Sequence, residues 1–261
     1  MNNKNVFYKK YIFLEYGLTS NYDEKLDLIK KCGFNGVFLE YRDNLEEIVN
    51  IVRNHNVEIE TVHLPFNKTN ELWVDSQEGE DFKNLLIEGI KKAGKLNIKT
   101  VIVHTARGKN PPQLSLIGLN RFKEMVKVCE ENNVTMAIEN IQRLDYLDYI
   151  FDNIKSNNLK YCFDCGHANC YTNNIEVYPF DKYKDKMICT HLHDNDGKDD
   201  LHTSIFTGTI NWEKLMHKFK DINYQGPLTL EVLTKNMHID NEEKFIKDLK
   251  EQLDKLEQMI C

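Results

Sequence analysis

No segment of this chain carries the roughly 20 consecutive apolar residues that a bilayer-crossing helix needs, which removes a membrane-spanning role for helices. Positive charge is also in deficit, with 34 Lys and Arg against 41 Asp and Glu and a net charge of -7. That balance gives no global reason to bind a polyanion, although a local basic patch is compatible with it. A secreted disulfide framework is missing too: seven cysteines, an odd number with irregular spacing, read as reduced thiols. Cys162 and Cys165 form a CxxC, but there is no second pair for a zinc ribbon and Asp164 lies inside the motif, so both read as packing residues. The opening MNNKNVFYKKYIFLEYG has neither the apolar core nor the small-residue cleavage site of a signal peptide, and a cytoplasmic protein is expected. Neither GxGxxG nor GxxxxGK[ST] follows any strand-like run, which counts against a nucleotide-binding doubly wound sheet.

What the sequence does have is alternation. Short β-branched or aromatic runs predict strands at 12–18, 36–41, 59–65, 100–105, 135–141, 160–164, 187–193 and 228–233. Helical patterns fall between and after them, at 23–32, 45–55, 82–96, 119–132, 144–156, 212–221 and 242–259, with a weaker one near 177–184. Cys32-Gly33, Asn132-Asn133 and Gly226-Pro227 supply breaks between helix and strand. Eight such units without a linker predict one (β/α)8 barrel over residues 1–261, because right-handed crossovers put every helix outside and closure removes sheet edges. An open doubly wound sheet is the alternative.

On that frame the chemistry-bearing side chains gather at the carboxyl ends of strands. His63 closes the third (TVHLPF), His104 the fourth (VIVHTA), Glu139 the fifth (MAIENI) and Asp164 the sixth (CFDCGH), with His167 three residues on. His193 closes the seventh within HLHDND, Asp200 and His202 follow in its loop, and Glu231 closes the eighth (LTLEV). Each alone has an ordinary reading, as a hydrogen-bonded core imidazole or a solvated acid. Together they need a common partner, since charged groups are costly to bury unless paired or metal-bound. Imidazoles beside carboxylates suit zinc, manganese or iron. His191 points to the same side as His193 but deeper, and reads as a residue that orients a ligand or fills the barrel.

With these motifs in place the chain resembles the xylose isomerase-like TIM-barrel superfamily, over nearly its whole length. That superfamily includes sugar phosphate isomerases and epimerases, ketose 3-epimerases and the endonuclease IV enzymes that cut at abasic sites. The resemblance to the epimerases implies one divalent metal held by Glu139, Asp164, His193 and Glu231. The resemblance to endonuclease IV adds His63, His104, His167, Asp200 and His202 as ligands for further ions, so one to three ions of zinc or manganese are expected. The segment through Gly208-Thr209-Ile210-Asn211-Trp212 resembles the G-x-G-x-I-x-W motif, except that Phe206 stands where its first glycine belongs. A stiffer or differently shaped loop is expected there.

The resemblance implies proton transfer beside a metal-polarised carbonyl, with Glu139 and Glu231 as the acids and bases that move the proton. Epimerisation and aldose-ketose isomerisation both stay open. Substrate contacts are expected from His167, Asn195, Lys198, Arg107 and Arg143, with Trp73 as a pocket wall or a helix-packing residue. The substrate expected is a small sugar or sugar phosphate. The short, non-basic loops Thr19-Ser20-Asn21-Tyr22-Asp23 and Arg42-Asp43-Asn44, and the stretch Ile141-Gln142-Arg143-Leu144, weigh against nucleic acid. The alternatives are a multi-zinc phosphodiesterase using the same ligands, and a metal-bound barrel that binds without catalysis. A homo-oligomer is compatible with the sequence.

Overall fold

A computed structural model of the chain describes residues 7–18, 21–172 and 175–260. Eight strands form one sheet: β1 (Lys10–Phe13), β2 (Gly36–Glu40), β3 (Glu58–His63), β4 (Thr100–His104), β5 (Thr135–Glu139), β6 (Leu159–Asp164), β7 (Met187–His191) and β8 (Leu228–Leu230). Their order, β7-β6-β5-β4-β3-β2-β1-β8, follows the sequence. β1 runs parallel to β8, with Lys10 opposite Leu228 and Ile12 opposite Leu230. A parallel bridge between Leu192 and Leu230 links the two ends of that order, through Leu192 N–H to Thr229 O (2.8 Å) and Glu231 N–H to Leu192 O (3.1 Å). The fold is therefore the (β/α)8 barrel.

The helices are α1 (Tyr22–Lys31), α2 (Leu45–Asn54), α3 (Gln77–Lys95), α4 (Leu116–Glu131), α5 (Leu144–Asn153), α6 (Cys165–Tyr171), α7 (Phe180–Tyr183), α8 (Trp212–Asp221) and α9 (Glu242–Ile260). Among the described residues no helix is long and apolar enough to cross a membrane. The chain sorts into two compact units, one within Met1–Val37, Asn50–Glu58 and Phe163–Cys261, the other Phe38–Val49 and Ile59–Cys162. In the second, Val62, Ile102, Ala137 and Ile138 of the strands and Leu86, Ile90, Phe122 and Met125 of α3 and α4 are fully buried. In the first, Ile12, Leu228 and Leu230 are buried with Leu26, Ile29, Leu215, Phe219, Ile246 and Leu249. Each Val, Leu, Ile, Met or Phe among them contributes about 1.5–3 kcal/mol by leaving water.

Several elements depart from the expected boundaries. β1 begins at Lys10 rather than Ile12, because the Lys10 side chain is only 9% exposed and its ammonium pairs with Asp254 (2.5 Å) and Glu257 on α9, which lets a lysine occupy a buried strand position. α3 and α4 start five and three residues early, at polar first turns capped by Ser76 and Ser115, whose hydroxyls accept from Gly79 N–H and Gly118 N–H at 3.1 Å each. The CGH stretch, read as loop, is the start of α6: the Asp164 carboxylate caps it by accepting from His167 N–H at 2.6 Å. The weak pattern near 177–184 condenses to the single turn of α7. Thr19 and Ser20 of the loop after β1 lie outside the described residues.

Candidate metal centre

In the second unit, consecutive strands deliver three donors to one point. His63 ends β3, His104 ends β4 and Glu139 ends β5, all buried. The Nε2 atoms of His63 and His104 lie 3.1 Å apart, and Glu139 Oε2 lies 3.3 Å from the first and 3.2 Å from the second. His63 Nδ1 sits 2.8 Å from the carbonyl of Leu64, which fixes Nδ1 as the protonated nitrogen and leaves the Nε2 lone pair facing the cluster. Each residue offers a ligand atom within 4.8 Å of the others. Phe66, half-exposed, covers the imidazoles, 4.6 Å from the His104 ring and 5.3 Å from the His63 ring between centroids.

The first unit builds two overlapping groups of the same kind, His167 with Asp200 and His202, and His193 with His202 and Glu231. Asp164, His191 and Glu231 also bring ligand atoms within 4.8 Å of one another. Asp200 Oδ2 is 3.2 Å from His167 Nε2 and 3.1 Å from His202 Nε2. His193 stacks on His202 at 3.9 Å and 9°, with its Nε2 3.0 Å from Asp164 Oδ2. Gly166 is required beneath it, since a Cβ there would lie 1.9 Å from His193 Cε1. Glu231 Oε2 lies 3.0 Å from His191 Nδ1, so the deeper histidine orients the β8 carboxylate.

The electrostatics match the donor set. Burial opposes charge on His202, but the Asp200 hydrogen bond and the charges of Glu231, Asp200 and Asp164 outweigh it and push the imidazole up to about 9. Burial likewise opposes ionisation of Asp200, yet His167 and His202 hold its carboxyl well below the usual range. The Asp200 carboxylate stays charged and calls for positive charge, which protons or a divalent ion can supply. Among the described residues, His193 Nδ1 and Asp200 Oδ1 are buried without a hydrogen-bond partner. Two orphaned donor atoms inside a nitrogen and oxygen donor set fit a divalent metal of the zinc or manganese type. Glu139 stands in one unit and Asp164, His193 and Glu231 in the other, so coordination of one ion by all four is a proposal.

The remaining expected contact residues divide by role. Asn195 is buried as a brace: its side-chain oxygen accepts from Asn169 Nδ2 (2.7 Å) and Gly197 N–H (3.0 Å), and its amide donates to Gly166 O (3.0 Å). Arg143 is engaged by Asp145 at 2.9 and 2.6 Å. Lys198 is exposed. Trp73 is 3% exposed, donates from Nε1 to Thr105 O (2.7 Å) and packs edge-on against Tyr146, as a helix-layer residue does. Cys165 is buried with Sγ 3.2 Å from His193 O, and the CxxC forms no disulfide.

One residue escaped the sequence reading. Asp194, fully buried, accepts from Asn195 N–H (2.9 Å), Ile210 N–H (3.2 Å) and Trp212 Nε1–H (2.8 Å). It clamps the base of the loop that carries Asp200 and His202. The usable signal was Trp212, whose indole N–H needs an acceptor wherever it is buried.

Fold and donors together define a (β/α)8 barrel with buried imidazole and carboxylate groups at strand ends. The chain belongs to the xylose isomerase-like TIM barrel family, whose model matches residues 26–256. It is 29% identical to the uncharacterised protein MJ1311 of Methanocaldococcus jannaschii over 234 residues, 84% of this chain and 78% of that one. It is 21% identical to a probable endonuclease 4 of Mycoplasma capricolum subsp. capricolum over 82% of this chain and 80% of the other. The crystal structure of a D-tagatose 3-epimerase-like protein superposes with a TM-score of 0.76 at 24% identity, covering 97% of this chain and 98% of that one.

Proposed function

We propose that the chain is a metal-dependent sugar or sugar-phosphate isomerase or epimerase. The observation that carries this reading is that both acids available for proton transfer, Glu139 and Glu231, belong to groups of three donors within ligand distance. Glu139, Asp164, His193 and Glu231 would hold the ion, which when bound would polarise the carbonyl and neighbouring hydroxyl of a ketose. One of the two glutamates takes the proton from the carbon beside that carbonyl. Return by the other glutamate to the same carbon inverts it, and return to the neighbouring carbon isomerises aldose and ketose. The resemblance of the fold to a D-tagatose 3-epimerase-like protein is in keeping with a sugar substrate.

A second reading, a multi-metal phosphodiesterase, is favoured by one specific observation. His63 and His104 in one unit, and His167, Asp200 and His202 in the other, belong to ligand groups that a single-ion epimerase has no need of. One comparison separates the two. With zinc or manganese restored, solvent deuterium should enter one of a panel of ketoses and ketose phosphates, and Glu139→Gln and Glu231→Gln should each abolish that entry. Cleavage of an abasic-site duplex with no exchange into any sugar would overturn the first reading in favour of the second.

A further inference from the structure

We propose that Arg107 is the phosphate receptor of the site and that the substrate is therefore a phosphorylated sugar, a refinement that rests on the isomerase or epimerase reading. Arg107 lies three residues beyond His104, in the loop after β4. Loops are ordinarily free to wander, but this one is pinned from two sides. Asn70 grips the Arg107 backbone reciprocally, its oxygen accepting from Arg107 N–H (2.8 Å) and its amide donating to Arg107 O (2.9 Å). Gln142, in the loop after β5, accepts from Gly108 N–H at 3.1 Å.

The output of these three bonds is an exposed guanidinium held 5.7 Å over the Phe66 ring, which itself lies 4.6 Å from the ring of His104. A cation over an aromatic face is held in direction while its N–H fork stays available. Among the described residues it meets no carboxylate, in contrast to Arg42, paired with Glu40, and Arg143, paired with Asp145. Arg121 is likewise spent, donating to the carbonyls of Glu71, Leu72 and Val74. A planar fork placed one aromatic ring away from a candidate metal ligand suits a terminal phosphate a few carbons from the reacting carbon, which a neutral ketose lacks.

Metal-restored protein is assayed for solvent deuterium exchange with fructose and fructose 6-phosphate, and with ribulose and ribulose 5-phosphate. Arg107→Ala should raise KM for the phosphorylated member of the productive pair about tenfold to a hundredfold more than for its unphosphorylated partner, the size of a lost charge-assisted hydrogen-bond pair. Arg107→Lys, which keeps the charge but not the fork, should fall between, and the control Arg42→Ala should leave the ratio at its wild-type value. Equal effects of Arg107→Ala on both members of the pair would overturn the phosphate role while leaving the isomerase reading intact. If no sugar exchanges, the isomerase reading fails, and calorimetric titration with glycerol 3-phosphate decides for Arg107: weaker binding by Arg107→Ala than by wild type supports the receptor, and equal binding overturns it.

Discussion

The indole Nε1–H of Trp212 donates to Asp194 Oδ2 at 2.8 Å across 18 residues of chain, tying the N-terminus of α8 to the end of the β7 segment. The bond is one of three that the Asp194 carboxylate accepts, and its backbone also pairs antiparallel with Thr203. Gly208 fits only as glycine in this knot, because a Cβ would lie 2.2 Å from Asn195 O. The loop bearing Asp200 and His202 is thus held by a buried carboxylate that is not itself a candidate ligand.

Asp194→Ala should therefore destabilise the fold by about 3 kcal/mol, since it leaves buried N–H groups without an acceptor. Hydrogen exchange should quicken across 195–211 ahead of the helices. Denaturant unfolding together with amide exchange tests this, and unchanged protection in that loop would assign its order to other contacts.

Metal content gives a separate test of the donor groups. Protein purified without chelator should carry more than one equivalent of zinc or manganese, because the His63 group and the His167 group share no residue. His104→Ala combined with His202→Ala removes one imidazole from each and should lower that number. A single equivalent, unchanged in the double variant, would make the surplus histidines substrate or orienting groups.

The strands were legible in the sequence, and the candidate donors at their ends could be picked out from it, because both are written in local residue types. Runs such as TVIVH and TMAIE combine apolar interiors with a polar terminus, and the barrel rule then places those termini together. The misses involve partners far away in the chain. Lys10 sits in a strand only because α9 supplies two acids, Asp164 is a helix cap as well as a candidate donor, and Asp194 depends on Trp212. The serine caps of α3 and α4 were local, but the hydrophobic period starts after them and drew the boundaries inward.

A surface histidine sets one pH dependence. His55 lies with Nε2 2.8 Å from Asp23 and Nδ1 2.9 Å from Asp27, both on α1, while Lys30 donates to its carbonyl. The Asp23 hydrogen bond, aided by Asp27, outweighs the cost of burial and raises its pKa above the ordinary 6.5. A raised folded pKa means that the stabilisation is fully present below the unfolded value near 6.5 and disappears as pH rises through the folded one. The stability gap between wild type and His55→Gln should be largest at pH 5.5 and shrink above pH 7.5, with a ceiling of about 0.2–1 kcal/mol per exposed pair. Urea midpoints across that range test it, and a gap that widens with pH would refute the ion-pair account.

Phe206 occupies the place of the first glycine of the G-x-G-x-I-x-W pattern, and its φ of 68° shows that the backbone keeps the left-handed conformation a glycine would serve. Such a conformation costs a side-chain-bearing residue about 1–2 kcal/mol. The ring offsets that cost: it packs edge-on against Trp212 at 5.8 Å between centroids, and Lys255 Nζ lies 4.4 Å over its face. The loop has thus exchanged glycine's freedom for an aromatic contact with the residue that anchors Asp194. Phe206→Ala keeps the strain and loses the ring, and should cost about 1–2 kcal/mol. Phe206→Gly loses the ring but relieves the strain, so it should be more stable than the alanine variant by about 1 kcal/mol. Thermal unfolding of the three proteins under one buffer measures both differences, and an alanine variant at least as stable as the glycine one would show that the conformation at 206 carries no strain.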